Sequence, residues 1–545
     1  MNYISKYKYQ ILCVIILIGG FFRLFKSDWG EGIFYHPDEY HIVSAVNRIN
    51  LPEKANPEMF SYGSSTVYLI YFVKNIVERI TNTPPNVFLV GRTLAGIFST
   101  ATLFVIYMLS EKIFKNTPRS LLATLLVAFT PGLIQQAHFT TPESFLIFWI
   151  FLCILLFTHW IHRGNKISII FSAICLGIAI GTKITALFVY PVFALSVFIP
   201  SGENPTANFF NKLLKLIILT AIVVLSFLTV FPYSLLDKTN FLSSLDYETA
   251  VGRGSLIVFY TRQFIDTSPI IFHFYKVFPY ALGIPMMLAG AMGCVYMFIN
   301  TLRSKEKTTK NTSIIILASF LTLLAGNVFL HVKWTRFVAP TFPFFSIFCV
   351  YLIGLIKHSK GLLGTYVALL CVLTALWSGM FFSIYRNSDT RASANVWINK
   401  NIPTDSVILT ESGNTYEVPL SGTYTKIPFD FYNLENNLVN QSMLVDNLLI
   451  ADYFIVQSRR VYANSVRLEN LFPFTSNFYT QLFNGNLGFE KVATFNSYPT
   501  LRLGGRVWSI DDEKAEETWS VFDHPVLVIY KKTTNSTKNF YEKIL

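Results

Sequence analysis

The stretch ESFLIFWIFLCILLFTHWI, residues 143–161, carries one acidic residue at its first position and is otherwise almost entirely apolar. A helix of this length, at about 1.5 Å per residue, can cross a bilayer core that is roughly 30 Å thick. The whole chain of 545 residues has the same character, because 52% of it is hydrophobic and only 14% is charged. A soluble protein of this size carries far more surface charge. The composition indicates a mainly α-helical polytopic membrane protein.

Apolar stretches of similar length recur along the first 385 residues. They predict eleven spans, near residues 9–25, 87–110, 119–137, 143–161, 167–181, 184–200, 212–233, 272–300, 313–331, 337–356 and 361–385. A twelfth candidate, residues 64–80, contains Lys74, Glu78 and Arg79.

The distribution of basic residues decides between eleven and twelve spans. With an inner N-terminus and no span at 64–80, the inner segments hold 15 Lys and Arg, whereas the short outer turns hold 3. A span at 64–80 would reverse this asymmetry for every later loop, against the positive-inside rule. We therefore expect eleven spans in the cell or plasma membrane, long outer loops at 26–86 and 234–271, and an amphipathic outer-surface helix at 64–80.

The region after residue 385 has a different composition. It holds 15 Lys and Arg against 17 Asp and Glu, so the net charge of +12 comes from the membrane part and does not indicate nucleic-acid binding. ASANVWINKNIP predicts a helix, and SVILTE, DYFIVQS, EKVATF and PVLVIYKK predict strands. We expect a transmembrane domain at 1–385 and a soluble extracytoplasmic α/β domain at 386–545. The acidic run DDEKAEE, residues 511–517, is expected to be a solvated face or loop.

The first outer loop contains HPDEYHIVSAVNRI, residues 36–49. Four apolar residues recur at the spacing of one helix face, and Pro37 suits the first helical position. Asp38 and Glu39 then fall in the first turn, where the helix dipole favours anions. A purely structural role at the helix start explains both acids.

A second acid occupies a similar place. In HFTTPESFLIF we expect Thr141 to cap a helix, with Pro142 first and Glu143 next, on the same side of the membrane as Asp38. Cations occur on that side too, at Arg92, Lys183, Lys333 and Arg336. Such groups can mark a site, or they can be interface anchors.

Acids and cations at one membrane face suit transfer of a sugar from a polyprenyl phosphate. A carboxylate takes the proton of the attacking acceptor, and cations stabilise the departing phosphate oxygens. The rival interpretation is a transporter or flippase of lipid-linked substrates. Transporters, however, place ionisable groups near the midplane of repeated halves.

Seven motifs follow one another along the chain: HPDEY, GRTLAGIFSTATLFVIYMLSEKIF, TPGLIQQAHFTTPES, GIAIGTKITALFVYPVF, FPYSLLD, KWTRFVAPTFPFF and ASANVWINKNIPTDSVILTE. In this order they resemble the GT-C superfamily of membrane glycosyltransferases, and most closely its protein O-mannosyltransferase and lipid A aminoarabinose transferase branch. The chain departs from relatives in two ways: the outer domain does not suggest a β-trefoil, and the absence of a WWDYG-like motif argues against an oligosaccharyltransferase.

The resemblance implies residue roles. Asp38, or less favourably Glu39, would be the catalytic base, and Glu143 would orient the acceptor or help hold a metal. Lys183 and Arg336 would bind the donor phosphate, and Arg92 is a weaker candidate for the same role. His138 is a weaker candidate for contacting the acceptor or a metal.

His36 lies near Asp38 in sequence, so an acceptor or metal contact there is conceivable. No cofactor is required, although a divalent metal is possible. The expected function is an inverting glycosyltransferase on the non-cytoplasmic face, with a polyprenyl-phosphate sugar donor and a protein, lipid or glycan acceptor.

Overall fold

The computed structural model describes residues 2–200, 208–356, 359–412 and 417–545. The chain forms two compact units. The first comprises Met1–Ser27, Asp38–Leu256 and Asp266–Gly379, and the second comprises Asp28–Pro37, Ile257–Ile265 and Met380–Leu545.

Long apolar helices dominate the first unit. In the described part of the chain, seven helices are long and apolar enough to cross a membrane: Val87–Phe114, Glu143–Arg163, Phe209–Val230, Ile284–Arg303, Lys307–Val328, Thr335–Ile356 and Lys360–Arg386. The number becomes eight if Thr117–Ala128 and Pro131–Ala137 count as one span bent by 57°. The chain is thus a multi-pass membrane protein.

The predicted count of eleven spans is not confirmed. The helices Lys8–Leu24 and Lys166–Thr182 have 17 residues each, slightly fewer than the roughly 20 that a span needs. The stretch 184–200 divides into a 3-10 turn, Ile184–Val189, and the helix Tyr190–Phe198. The stretch 272–300 also breaks, at Gly283 with a φ of 79°. Apolar length in the sequence does not reveal such breaks.

Shorter elements connect the long helices. They are Asn2–Lys6, Pro37–Arg48, Ser65–Thr81, Tyr233–Leu236, Lys238–Arg253, Pro269–Phe272 and Phe278–Ala281, with a π-helical turn at His273–Val277. The helix Ser65–Thr81 matches the predicted helix at 64–80. Ile42, Val46, Val67 and Ile70 form a buried cluster in which this helix packs on Pro37–Arg48, and that packing anchors the segment that carries Asp38.

A mixed sheet forms the second unit. Its strands are β1 (Val407–Glu411), β2 (Thr425–Phe429), β3 (Tyr453–Val456), β4 (Phe489–Phe495), β5 (Thr500–Leu503), β6 (Arg506–Ser509) and β7 (Leu527–Lys532). The large sheet has the order β2-β1-β3-β7-β4, and β5 pairs only with β6 in the described chain. β1 runs parallel to β2 and β3, whereas β7 is antiparallel to β3 and β4.

The four strands expected from the sequence are present as β1, β3, β4 and β7. Alternate residues enter opposite cores, as Phe454 and Ile455 do in β3. Helices pack around the sheet at Thr390–Asn401, Leu438–Ile450, Arg459–Arg467, Pro473–Phe483 and Lys538–Ile544, with 3-10 turns at Phe259–Phe264, Phe431–Asn433 and Glu517–Trp519.

The acidic run at 511–517 differs from its prediction. Asp512, Glu516 and Glu517 are buried. Trp519 Nε1 donates to Asp512 at 2.9 Å, and Gln263 Nε2 donates to Glu516 at 2.7 Å. Buried carboxylates need such partners, so the expected solvated face is wrong for these three residues.

Glu411, at the end of β1, should make stability depend on pH. Burial raises the pKa of the Glu411 carboxyl to about 7. Hydrogen bonds donated by Tyr479 Oη at 2.5 Å and by Gln457 N at 2.8 Å oppose this shift without cancelling it. The folded protein therefore keeps a proton that the unfolded chain loses near pH 4.5. The free energy of unfolding should fall as pH rises from about 4.5 to about 7, by at most about 3 kcal/mol.

Thermal unfolding of Glu411→Gln across that range should show a flatter pH dependence than wild type. Glu542→Gln, at an exposed position, is the control and should keep the wild-type slope. An unchanged slope in Glu411→Gln would assign the effect to another group.

Candidate active site

Asp38 lies in the first turn of the helix Pro37–Arg48 and belongs to a group of charged and aromatic residues. Tyr62 Oη donates a hydrogen bond to Asp38 Oδ2 at 2.8 Å, and Arg336 forms an ion pair with the same oxygen. The Asp38 and Arg336 side chains are 17% and 14% exposed, so both remain within reach of a bound molecule.

A second ion pair joins Glu143 and Lys183. Their side chains are almost fully buried, with Lys183 Nζ 2.8 Å from Glu143 Oε1. Lys183 follows the helix Lys166–Thr182, and its Nζ lies 4.5 Å from the ring centre of Phe337 and 5.4 Å from that of Tyr62. Tyr62 therefore connects the two pairs, since its hydroxyl contacts Asp38 and its ring faces Lys183.

The helix that carries Glu143 starts one residue later than expected. It begins at Glu143, and the residue before it, Pro142, makes no side-chain capping bond. The predicted capping role of Thr141 is therefore wrong. The acid still lies in the first turn, where the helix dipole favours a carboxylate.

Glu39 and Arg92 form a separate, fully buried pair. Arg92 donates to both carboxylate oxygens, at 2.8 and 2.7 Å, and also to Ser27 O at 3.0 Å. Thr140 N donates to Glu39 Oε1 at 2.7 Å. A bidentate pair with this extra donor is well satisfied. The geometry favours a structural role over the catalytic and phosphate-binding roles predicted for these residues.

The two predicted histidines are both buried. His36 stacks on Phe522, with ring centres 4.3 Å apart. His138 has its Nδ1 2.8 Å from Ile134 O and its Nε2 3.1 Å from Phe25 O. The His36 ring therefore has an aromatic contact, and both ring nitrogens of His138 lie at hydrogen-bond distance from backbone carbonyl oxygens.

The described acidic, histidine and cysteine side chains do not form a ligand cluster. Within the described ranges, no three His, Cys, Asp or Glu side chains converge in a way that could hold a metal ion.

Two residues of the site were not predicted from the sequence, Tyr62 and Glu248. Burial raises the pKa of Tyr62 well above its usual value, so its hydroxyl stays a neutral donor. Glu248 lies on the helix Lys238–Arg253, where partial desolvation raises its pKa and Arg336 and Lys183 oppose that shift. The only sequence signal for Glu248 was its position in the predicted outer loop 234–271.

A close backbone approach holds Tyr62 in place. Gly63 N donates to Thr182 O at 3.2 Å, and a Cβ at Gly63 would lie 1.9 Å from Gly181 O. Only glycine permits such an approach. The loop of Tyr62 is thereby fixed against the helix end that precedes Lys183.

We expect Gly63→Ala to reduce activity more than Tyr62→Phe does. Gly63→Ala displaces the loop that carries Tyr62. Tyr62→Phe removes only the hydrogen bond to Asp38. If that bond orients the carboxylate, its loss should lower the rate by about tenfold. The measurement is turnover of the reconstituted protein. Gly252→Ala is the control, because a Cβ there meets open space. Normal turnover in Gly63→Ala would show that this loop does not support the site.

Comparison with solved structures defines the class of fold. The chain is similar to the apo crystal structure of the Archaeoglobus fulgidus oligosaccharyltransferase, with 14% identity, 88% of this chain and 73% of that chain covered, and a TM-score of 0.56. A second structure of that protein, tethered with an acceptor peptide, matches at 13% identity, with 88% and 72% covered and a TM-score of 0.53. The chain has the fold of GT-C membrane glycosyltransferases.

The sequence itself gives a more particular match. Residues 65–247 match the family model described as dolichyl-phosphate-mannose-protein mannosyltransferase. No curated protein sequence matches the chain. The resemblance to the GT-C superfamily that the motifs indicated is therefore confirmed.

Proposed function

We propose that this protein is an inverting glycosyltransferase that moves a sugar from a polyprenyl-phosphate carrier to an acceptor hydroxyl or other nucleophile. The reaction takes place on the non-cytoplasmic face of the membrane, with the N-terminus in the cytoplasm and the second unit outside. The description of the matching family makes mannose on a polyprenyl phosphate the first donor to test.

The observation that carries this proposal is the group around Asp38. A partly exposed carboxylate lies beside a partly exposed guanidinium, and the neighbouring Lys183 contacts Tyr62, which also bonds Asp38. One group can accept a proton while the others meet a phosphate, as the transfer requires.

The reaction is a single displacement. The acceptor oxygen attacks the anomeric carbon and forms the new glycosidic bond, while its proton passes to the Asp38 carboxylate. The bond from the anomeric carbon to the phosphate oxygen breaks, and its electron pair leaves on the polyprenyl phosphate. Because no enzyme nucleophile intervenes, the anomeric configuration inverts.

Arg336 has a different partner at each stage of this mechanism. Without donor it balances the charge of Asp38. When the donor binds, its guanidinium turns to the phosphate oxygens, for which its planar fork is well suited. Asp38 is then relieved of its counter-ion and becomes a better base.

Two further carboxylates border the site. Glu143 holds Lys183 in place through their 2.8 Å contact. Glu248 is an exposed residue of the helix Lys238–Arg253, and the charges of Arg336 and Lys183 lower its pKa against the rise caused by desolvation; we assign it to contact with the acceptor. A divalent metal could join the site through the donor phosphate and one of these acids.

The decisive experiment supplies the purified protein, reconstituted in liposomes, with radiolabelled polyprenyl-phosphate mannose and crude membrane acceptors. Other lipid-phosphate sugars follow in parallel. We expect label in the acceptor fraction, with the anomeric configuration of the product opposite to that of the donor by NMR. Transfer with retained configuration would rule out the single displacement. If labelled lipid moves between leaflets and no sugar is transferred, the protein is a flippase of lipid-linked substrates and not a glycosyltransferase.

A further inference from the structure

A groove lies between two helices of the first unit, Lys166–Thr182 and Phe209–Val230. Its volume of about 390 Å³ is within the range of ligand sites in proteins. Ile170 and Ile218 in its walls are 40% and 54% exposed, so the groove is open to the surroundings of these helices. The apolar side chains that line it are Ile169, Ile170, Leu214, Ile218, Leu219 and Ile222.

The two helices run parallel and touch through two glycines. A Cβ at Gly177 would lie 2.4 Å from Val223 O, and a Cβ at Gly181 would lie 2.3 Å from Val230 Cγ2. The contacts therefore advance in the same direction along both helices. This glycine spacing lets spanning helices approach closely. The groove lies nearer the first residues of each helix, where larger side chains line the space between them.

Polar groups line the groove at the starts of both helices. Lys166 is the first residue of its helix, and Asn211 and Lys215 lie in the first two turns of the other. Lys215 Nζ is 3.4 Å from the ring centre of Trp160, and the buried Trp160 Nε1 has no hydrogen-bond partner among the described residues. Because helix N-termini favour anions, two parallel N-termini and two lysines suit this end to a phosphate.

The rest of the groove suits an acyl chain. An apolar stretch of the helix Phe209–Val230 is only 11% buried inside the protein, although the helix is long enough to cross a membrane. Such a surface is stable against acyl chains or against another apolar surface. A phospholipid matches both parts of the groove, with acyl chains for the walls and a phosphate for the basic end.

The basic end of the groove is distinct from the candidate active site. Lys166 begins the helix that ends just before Lys183. The 17 residues of that helix separate the two lysines by about 25 Å along the helix axis. A lipid whose phosphate lies at Lys166 therefore belongs to the opposite leaflet from a donor whose phosphate lies at Lys183.

We propose that this groove binds one anionic phospholipid. One acyl chain packs against Ile170, Leu214 and Ile218, and the phosphate accepts hydrogen bonds from Lys166 and Lys215. Among the described residues, none that lines the groove is acidic. Two cations without an opposing acid favour a headgroup of net negative charge. The proposal does not depend on which reaction the protein catalyses.

Native mass spectrometry tests the headgroup. The full chain, stripped of lipid in detergent, is titrated with phosphatidylglycerol and with phosphatidylcholine. We expect one phosphatidylglycerol to bind about 30-fold more tightly than phosphatidylcholine, a factor of about five for each lysine. Lys166→Gln with Lys215→Gln should abolish this preference. Equal affinity of the wild type for the two lipids, or an unchanged preference in the variant, would overturn the proposal.

The matched control for charge is Lys305→Gln with Lys307→Gln. It removes two exposed lysines at the start of another long helix, Lys307–Val328, outside the groove. This variant should keep the wild-type preference for phosphatidylglycerol. The same loss in both double variants would show that net charge, and not the groove, selects the lipid, and would also overturn the proposal.

Filling the groove tests the acyl chain and does not depend on the lysine variant folding. Ile218→Trp should weaken phosphatidylglycerol binding by about tenfold, the effect of losing contact with about two methylene groups. Ile217→Trp is the control, because Ile217 is 58% exposed on the same helix and does not line the groove. Equal binding by the two variants would overturn the acyl-chain assignment.

Two other occupants give distinct results. Displacement of phosphatidylglycerol by an equal concentration of polyprenyl phosphate would make the groove a site for the carrier lipid. A wild-type dimer that Ile218→Trp converts to a monomer, with no change in lipid binding, would make it an interface between copies of the chain. Either result would end the proposal.

Discussion

Asp38→Asn should lower sugar transfer by about 100-fold or more, the scale typical of losing a general base. The amide keeps the shape of the side chain and can still accept the hydrogen bond from Tyr62. It cannot take the acceptor proton, and it loses the ion pair with Arg336. The loss should appear in kcat, because the donor phosphate contacts remain.

The matched control is Asp246→Asn, an exposed acid on the same helix as Glu248, Lys238–Arg253. It should transfer at the wild-type rate. Size-exclusion profiles of both variants separate a catalytic loss from misfolding. Wild-type transfer by Asp38→Asn would remove Asp38 as the base and make Glu248 the next carboxylate to substitute.

Arg92→Met should destabilise the folded protein by about 3–5 kcal/mol, because it leaves Glu39 buried without its counter-ion. Among the described residues, the Glu39 carboxylate would keep the hydrogen bond from Thr140 N and lose both hydrogen bonds from Arg92. The measurement is thermal unfolding in detergent. The double variant Glu39→Gln with Arg92→Met should recover part of the loss, since it removes both charges.

An exposed ion pair supplies the control. Lys115 and Glu306 are 2.9 Å apart, but their side chains are 59% and 60% exposed, so Lys115→Met should leave the stability close to that of wild type. If Arg92→Met folds with wild-type stability yet loses donor binding, the phosphate-binding role predicted from the sequence is right and the structural role is wrong.

Much of the local structure follows from sequence pattern. The helix Pro37–Arg48 begins at its proline, and the helix Ser65–Thr81 and strands β1, β3, β4 and β7 lie where periodicity placed them. β2, which contains Pro428, was not predicted because it is an edge strand with little alternation. The span count failed because hydropathy measures apolar length and not where a helix bends or stops.

The candidate site likewise combines residues that the sequence pattern identified with pairings that only the tertiary structure shows. Proline and acid patterns identified Asp38 and Glu143, and basic residues at the predicted outer boundary identified Lys183 and Arg336. Which acid pairs with which cation could not be derived, because Asp38 and Arg336 are 298 residues apart in sequence. Glu39 adjoins Asp38 in the chain, yet the helical turn directs it to Arg92 in the interior.

By itself, the sequence determined that the chain is a membrane protein, that Asp38 and Glu143 lie in the first turns of helices, and that a strand-rich region follows the last long apolar helix. These features depend on composition and short-range periodicity. The tertiary structure alone decided that Tyr62 joins two ion pairs and that the acids at 512, 516 and 517 are buried. Those outcomes depend on contacts between segments far apart in the chain, and the free energy of burying a charge is set by the partners that packing supplies.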